Sequence, residues 1–405
     1  MSSLMSGAQI LLECLAREQV DCMFGYPGGV TLPLYDAIYD NPLRHVLVRH
    51  EQNAAFAASG YARTTGKVGV CCATSGPGAT NLVTGLVDAM MDSIPVVAIT
   101  GQVTSKLIGS DAFQEADTFG ITRSCTKHNF LVKSVQELPQ TVHEAFYIAA
   151  SGRPGPVLVD IPKDVFQAQA HYTPVASIHL PGYKVYTEGH TGQIRRAAQM
   201  MWDAERPFVY AGGGIIAANA SGELRELVET LDCPGVCTLM GLGGLPGHHP
   251  NFISLPGMHG SYAANMGMTN ADLLIALGTR FDDRVTGRLA AFAPHAKVIH
   301  VDIDPAEISK NRNADLPIVG DVKRVLAKLI RNLTELREEH GAKHAAARRA
   351  WWAQVHEWQS EHPLTAEVST DEIKPQHLMS EIDRLSGGEA IVTSDVGQHQ
   401  MWAAQ

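Results

Sequence analysis

Glu51 is the residue whose position most directly suggests catalysis. It follows Arg49 and His50 at the end of a predicted strand and lies in the first turn of a helix predicted from about Glu51 to Thr65, where the helix dipole favours a carboxylate. At the carboxyl end of a sheet, a sheltered carboxyl group could exchange a proton with a ring nitrogen of a bound cofactor. Acidic residues are also common in first turns for stability alone, so both interpretations stay open here.

Two glycine turns follow buried strands in the same part of the chain. The segment Ser75 to Asn81 contains Gly76 and Gly78, and an earlier turn runs from Gly25 to Gly29. Glycines let backbone amides approach a ligand closely. Neither turn has the Lys and hydroxyl residue of a phosphate-binding P-loop. The indication of a phosphate site is therefore weak, and a tight turn is about equally supported.

A third glycine turn, Gly212 to Ala217, matches the pattern G-x-G-x-x-A after a strand. This pattern is typical of a dinucleotide pyrophosphate bound near a helix N-terminus. The next predicted strand ends without the acid that a nicotinamide site needs, but Asp302 and Asp304 lie at a later strand end and could bind a ribose. Glycines and acids that only shape turns are the alternative.

Two basic residues also follow buried strands. Arg280 could clamp a carboxylate or phosphate, or it could form a surface salt-bridge cluster with Asp282 and Asp283; Lys163 has the same two interpretations. Cys233 and Cys237 have no second pair nearby, and His248, His249 and His259 lack the spacing of a helical metal site. We therefore predict no metal site in this chain.

Alternating predicted strands and helices position all these residues. The pattern predicts an α/β fold with parallel sheets flanked by helices. We expect two complete domains and the start of a third: an N-terminal domain at 1–165, a linker at 166–192, a central domain at 193–341, an exposed helical connector at 342–375 and an incomplete domain at 376–405 that includes a strand at 390–393.

Composition limits the class of protein further. The 405 residues are 45% hydrophobic and 18% charged, which excludes wholesale disorder, and 32 basic against 42 acidic residues give a net charge of −10, which argues against nucleic-acid binding. No long apolar segment or leader is evident, and the seven cysteines are odd in number and sparse. We expect a cytoplasmic protein that does not bind membranes.

These segments together resemble the catalytic large subunit of acetohydroxyacid synthase, also called acetolactate synthase. The resemblance covers nearly the whole chain, and its most specific motifs are Phe24 to Gly29, Arg49 to Gln52, Ala73 to Leu82, Asp111 to Glu115, Ser151 to Val157, Gly257 to Gly260, Arg280 to Arg284 and Asp395 to Trp402. It implies a thiamine-diphosphate-binding fold whose first domain holds the aminopyrimidine of thiamine diphosphate, whose second holds FAD and whose third binds the diphosphate with Mg²⁺.

The resemblance also implies roles for individual residues. Glu51 would hydrogen-bond the pyrimidine N1′, and Arg280 would handle the carboxylate of the acceptor keto acid. The other residues implied to line the reaction pocket are Gly25, Phe113, Gln114 and Lys163. Those implied to contact thiamine diphosphate are Pro27, Gly76, Asn81, Val396, Gly397, Gln398 and His399. Those implied to surround FAD are Arg153, Gly212, Gly213, Gly214, Met258, His259, Gly260, Gly278, Arg280, Asp282, Asp302, Ile303 and Asp321.

The implied reaction decarboxylates pyruvate and joins the two-carbon unit to a second pyruvate or to 2-ketobutyrate, the first common step of valine, leucine and isoleucine biosynthesis. A homodimer or dimer of dimers with a small regulatory subunit is implied. The Gly-Asp-Gly and Asn metal signature of the family does not occur in the chain, so the Mg²⁺ ligands are expected beyond residue 405 and the chain alone is not expected to turn over. The alternatives are a truncated, inactive FAD-binding or dimerising form and another thiamine-diphosphate carboligase or decarboxylase.

Overall fold

A computed structural model describes residues 4–341, 343–365 and 371–405. The chain forms two compact units, Met1–Val185 and Tyr186–Gln405, and the division falls within the predicted linker. Residues 342 and 366–370 of the predicted connector lie outside the described residues. Among the helices of the described residues, none is long and apolar enough to cross a membrane.

The first unit is built on a six-stranded parallel sheet with the strand order β3-β2-β4-β5-β7-β6. A short antiparallel pair, β1 with β8, lies apart from it. The strands are β1 Leu4–Ser6, β2 Cys22–Gly25, β3 Arg44–Leu47, β4 Gly69–Ala73, β5 Val96–Gln102, β6 His128–Leu131, β7 Val157–Pro162 and β8 Gln169–His171. The helices are α1 Gly7–Arg17, α2 Leu32–Tyr39, α3 Glu51–Thr65, α4 Pro77–Asn81, α5 Val83–Met91, α6 Thr118–Thr122, α7 Leu138–Ala150 and α8 Lys163–Gln167.

The second unit has a six-stranded parallel sheet with the order β11-β10-β9-β12-β13-β14. Its strands are β9 Pro207–Ala211, β10 Gly235–Cys237, β11 Phe252–Ser254, β12 Leu273–Leu277, β13 Lys297–Asp302 and β14 Leu316–Val319. Its helices are α9 Thr191–Asp203, α10 Gly213–Ala217, α11 Ser221–Leu231, α12 Tyr262–Asn270, α13 Asp283–Thr286, α14 Val322–His340, α15 Ala345–Glu361, α16 Pro375–Ser386 and α17 Gln398–Ala404.

Apolar packing on both faces of each sheet explains these elements. Every residue of β4, β5, β7, β9 and β12 is buried, as expected for central strands covered by helices on both sides. The predicted α/β fold with parallel sheets is therefore confirmed.

Each sheet has a pair of adjacent strands from which the chain continues in opposite directions. In the first unit the chain goes from β2 to β3 on one side and returns to β4 on the other, and in the second unit β10 and β12 flank β9 in the same way. Outside the carboxyl ends of strands at such a switch point lies the crevice where α/β sheets bind ligands. The switch points are therefore between β2 and β4 and between β9 and β12.

Two expectations were wrong. Residues 390–393 form no strand, and Ile391 is 94% exposed; a strand needs a paired neighbour for its backbone N–H and C=O groups, and the described residues provide none there. The helix of the predicted connector is not exposed. α15 buries Arg348, Trp351 and Val355, whose spacing of three and four residues places them on one helix face.

Candidate active site

The switch point of the first unit brings its two glycine turns together. A Cβ atom added at Gly25, the last residue of β2, would lie 2.6 Å from the Tyr35 hydroxyl and 2.8 Å from the Cys72 carbonyl. A Cβ at Gly28 would lie 2.4 Å from Thr74 Cγ2. The chain therefore needs glycine at both positions, because the turn after β2 packs directly on the end of β4.

Glu51 lies beside this crevice and has a fixed orientation. It is the first residue of α3, whose N-cap is His50, and Asn81 Nδ2 donates a 3.0 Å hydrogen bond to Glu51 Oε2. A Cβ at Gly78 would lie 3.5 Å from Glu51 Oε1. The half-buried carboxylate therefore uses one oxygen to hold its orientation and presents the other beside the turn after β4.

Two buried hydroxyls at the end of β4 have no partner among the described residues. They are Thr74 Oγ1 and Ser75 Oγ, and Ser75 is completely buried. Buried hydroxyls normally form hydrogen bonds. A polar ligand that reached the end of β4 would satisfy them.

The loop after β5 carries two further predicted residues. Gly76 has a φ of +56°, and a Cβ there would lie 2.5 Å from the Gln114 carbonyl. Gln114 itself has a φ of +57°, and Phe113 is 87% exposed. Lys163 begins α8 at the same edge of the sheet, directly after β7. The structure therefore brings Glu51 together with Asn81 and Gly76 together with Gln114, and Lys163 follows a neighbouring strand.

The switch point of the second unit is also made of glycines. Gly212 N donates to the Leu277 carbonyl (2.9 Å) and Gly214 N to the Gly278 carbonyl (3.0 Å). A Cβ at Gly212 would lie 2.2 Å from Gly278 O, and one at Gly214 would lie 2.7 Å from Gly278 Cα. Packing of the two turns therefore requires these glycines, and it places the start of α10, beginning at Gly213, at the crevice.

Arg280 lies just beyond this crevice in a constrained loop. Its guanidinium forms a 2.8 Å salt bridge with Asp282 and is 40% exposed. Asn311 Nδ2 donates to the carbonyls of Arg280 and Phe281, both at 3.1 Å, and His300 contacts the Thr279 carbonyl at 2.9 Å. The salt bridge with Asp282 proposed as the alternative is therefore present, in a loop whose backbone is held from two sides.

The remaining predicted FAD residues have different surroundings. Asp302 Oδ1 accepts from Asp304 N at 2.9 Å, and Ile303 is half-buried. Asp321 caps α14 through Arg324 N. Arg153 belongs to the first unit, where it contacts Ser93. Atoms that already form helix caps and turns at these positions are not available to a ligand. A ligand could contact only the remaining groups.

Seven more predicted residues lie in two other segments of the second unit. Met258 is 66% exposed and follows Gly257, whose φ is +89°. The His259 carbonyl accepts from Gln405 Nε2 at 2.9 Å, and a Cβ at Gly260 would lie 2.2 Å from Leu255 O. Val396 is 87% exposed, and Gly397, Gln398 and His399 form the start of α17.

Several residues of the crevice were absent from the predicted site: Gly28, Thr74, Ser75 and Gly78. The glycines lie in turns that the sequence indicates, but the buried hydroxyls have no sequence signal of their own. Their contacts depend on the approach of β2 and β4, which are adjacent in the sheet and about fifty residues apart in the chain.

Comparison with known proteins gives the class first. Residues 5–121 match the family described as "Thiamine pyrophosphate enzyme, N-terminal TPP binding domain", and residues 194–329 match "Thiamine pyrophosphate enzyme, central domain". The two matches fall on the two units separately and include both switch points. The chain therefore belongs to the thiamine pyrophosphate enzymes.

Individual relatives narrow this class. The chain is 54% identical over 403 residues to the acetolactate synthase large subunit of Mycobacterium tuberculosis, covering 99% of this chain and 65% of the relative. It is 48% identical over 404 residues to the acetolactate synthase isozyme 3 large subunit of Escherichia coli, covering 99% and 70%. The chain thus spans about two thirds of the length of its relatives, and it belongs to the acetolactate synthase large-subunit family.

Proposed function

We propose that the protein acts as an acetolactate synthase catalytic subunit. It would decarboxylate pyruvate and join the resulting two-carbon unit to a second pyruvate or to 2-ketobutyrate, in the biosynthesis of branched-chain amino acids. The observation that carries this proposal is the hydrogen bond between Asn81 and Glu51 at the switch point of the first unit, because it places an oriented carboxylate where α/β sheets bind ligands.

Thiamine diphosphate is the cofactor that fits this crevice. The glycines Gly25, Gly28 and Gly76 let the turns pack closely around the ends of β2 and β4, and the buried hydroxyls of Thr74 and Ser75 lack partners within the described residues. When bound, thiamine diphosphate supplies a carbanion-stabilising electron sink that no side chain provides.

The residues of this chain would hold the cofactor and the substrate in place and would transfer a proton. Glu51 would hold or release a proton at Oε1, opposite the pyrimidine N1′, while Asn81 keeps Oε2 in place. Pro27 and Gly76 would shape the floor of the crevice. Phe113, Gln114 and Lys163 would face the substrate. The exposed Phe113 ring would exclude water from the site when bound substrate covers it. Val396 to His399 would extend the thiamine-diphosphate contacts.

FAD would bind at the switch point of the second unit. The glycine turns at 212–214 and 278 bring the start of α10 to the switch point, and the G-x-G-x-x-A pattern of Gly212 to Ala217 is typical of a turn that binds a dinucleotide pyrophosphate. Arg280 would bind the carboxylate of the acceptor keto acid, a role suited to a fork of N–H donors. The predicted FAD-contacting residues of the second unit, from Gly212 to Asp321, are part of this proposal, and Arg153 of the first unit stays a prediction.

Mg²⁺, a homodimer or dimer of dimers and a small regulatory subunit complete the proposal. No group of three or more His, Cys, Asp and Glu side chains that could hold a metal lies in the described part of the chain, so we assign no residue to Mg²⁺. The two relatives above are named large subunits, which supports a smaller partner.

The substitution Glu51→Gln tests the catalytic proposal. Purified full-length protein that contains this sequence is incubated with pyruvate, thiamine diphosphate, Mg²⁺ and FAD, and acetolactate is measured colorimetrically. A positioned proton-transfer group contributes about 10²- to 10⁴-fold, so we expect a loss of about that size. Glu223→Gln is the matched control, since Glu223 also lies in the first turn of a helix, and it should keep the wild-type rate.

Equal rates for wild type and Glu51→Gln would contradict the role of Glu51. Wild-type protein with neither acetolactate formation nor flavin absorbance would contradict the proposed function. Flavin absorbance without acetolactate formation would instead favour the alternative of an inactive FAD-binding form.

A further inference from the structure

We infer that Asp160, acting through Gln102, is a positioning residue that fixes the pocket loop, defined here as residues 103–116, at the carboxyl edge of the first sheet. This loop carries Phe113 and Gln114. The inference rests on the proposed function for its catalytic meaning. The contacts that link Asp160 to the loop through Gln102 all lie within the first unit.

Asp160 is a carboxyl group buried inside the sheet. It lies on β7 opposite Thr100 of β5 and is 1% exposed. Its Oδ1 accepts from Thr100 Oγ1 at 2.7 Å, and its Oδ2 accepts from Gln102 Nε2 at 3.0 Å. It forms no salt bridge with any residue that the structure describes, so these two bonds must satisfy a group that is unfavourable to bury.

The Gln102 amide can adopt only one orientation. Val103 N, which can only donate, lies 2.8 Å from Gln102 Oε1, and therefore Nε2 must face the other side. There it donates to two acceptors, Asp160 Oδ2 and the Ala116 carbonyl, each at 3.0 Å. Turning the amide over would place donors against Val103 N and lose both other bonds.

The pocket loop is thus held at both ends from the same segment. Near its start, Ser105 N and Oγ donate to Asp164 Oδ1 at 2.9 and 3.1 Å. At its end, Ala116 is held by Gln102 and Asp160. The two aspartates flank Lys163 on either side in the chain. One short segment therefore carries Lys163 and fixes the loop that carries the other pocket residues.

The middle of the loop is organised by Glu115. Its carboxylate accepts from Ala112 N at 2.9 Å and also from Gly109 N, and these backbone donors lower the pKa of Glu115. The Gln114 carbonyl packs against Gly76. Because the middle is a closed ring of contacts, its position depends on how the two ends are held.

Hydrogen exchange of the pocket loop tests the inference on the chain as it exists, without added cofactor. Asp160→Leu removes both acceptors, and we expect exchange of residues 103–116 to become about ten-fold faster, equivalent to about 1.4 kcal/mol. Asp160→Asn should restore slow exchange, since its Oδ1 can accept from Gln102 Nε2 while its Nδ2 donates to the Thr100 hydroxyl.

Thr100→Val is the matched control. It removes the other hydrogen bond of Asp160 and leaves the link through Gln102, so loop exchange should stay at the wild-type rate. If Asp160→Leu does not fold, Gln102→Met breaks the same link from its other end and should give the same acceleration.

Three results would overturn the inference: unchanged loop exchange in Asp160→Leu or Gln102→Met, equal acceleration in Thr100→Val, or fast exchange in Asp160→Asn. The second would mean that Asp160 only stabilises the sheet. None of these measurements requires catalysis, so failure of the proposed function, seen as absent acetolactate formation by wild type, is distinguishable from failure of this link.

Discussion

Replacing Asp160 by Asn changes how the stability of the first unit depends on pH. Burial, opposed by the hydrogen bonds from Thr100 and Gln102, raises the pKa of Asp160 to about 7, whereas an unfolded Asp has a pKa of about 3.9. Between these values the folded protein binds a proton that the unfolded chain has released. The free energy of unfolding therefore falls as pH rises through this window, and it levels off above about pH 7.

The expected magnitude follows from the difference between the two pKa values. The slope is at most about 1.4 kcal/mol per pH unit and flattens near pH 7, so Asp160 lowers the free energy of unfolding by about 2 kcal/mol from pH 5 to pH 7. Asn does not titrate. The stability of Asp160→Asn relative to wild type should therefore increase by about 2 kcal/mol over this range, whatever the difference at pH 5.

Urea unfolding at pH 5, 6, 7 and 8 measures this difference, with far-UV circular dichroism reporting both units. All five tryptophans, the first being Trp202, belong to the second unit, so their fluorescence is an internal control whose transition should be the same in variant and wild type. A difference in stability that stays constant from pH 5 to pH 8 would refute the reasoning, since Asp160 would then titrate alike in the folded and unfolded states.

Two further predictions concern glycine geometry and a buried arginine. Gly76→Ala should destabilise the first unit by about 1–3 kcal/mol through backbone strain, and it should displace Gln114. Gly66 also has a positive φ but has open space around it, so Gly66→Ala should have a smaller effect. Equal urea midpoints for the two variants would contradict this. Arg348 donates to carbonyls that end α9 and α11, including Leu231 O at 2.7 Å and Met201 O at 2.9 Å, so Arg348→Met should destabilise the second unit by about 3 kcal/mol. Tryptophan fluorescence in urea measures this, and the exposed Arg349 provides the control Arg349→Met, which should match wild type.

The strands of both sheets could be predicted because central parallel strands are continuous apolar runs. The strand predicted at 273–277 coincides with β12, and the helix predicted from about Val322 to Glu339 ends one residue before α14 does. β6, β11 and β14 were not predicted, and neither was the short pair of β1 with β8. β6, β11 and β14 each lie at one end of a sheet, where one neighbour rather than two determines the pairing and the apolar pattern is weaker.

Site residues that directly follow a strand could be predicted from the sequence. Site contacts that depend on how distant segments pack together could not. Glu51 and the glycine turns follow predicted strands, so their common edge follows from the parallel order. The link from Asp160 through Gln102 joins residues 58 apart in the chain, and only the register of β5 with β7 makes them neighbours. An acid inside an otherwise apolar strand was the available signal.

The backbone strain of the pocket loop explains why a buried carboxyl group is retained beneath it. Asp111 and Gln114 both have a φ of +57°, a conformation that residues with a Cβ adopt only when the surrounding structure enforces it. The Glu115 ring fixes local shape, but its position needs an anchor in the rigid part of the fold, and β7 is buried along its whole length. An apolar residue at position 160 would avoid burying a carboxyl group but would leave Gln102 Nε2 with one acceptor fewer. Asp160 therefore lowers the stability of the first unit at neutral pH, but it fixes the position of Gln114 beside Gly76.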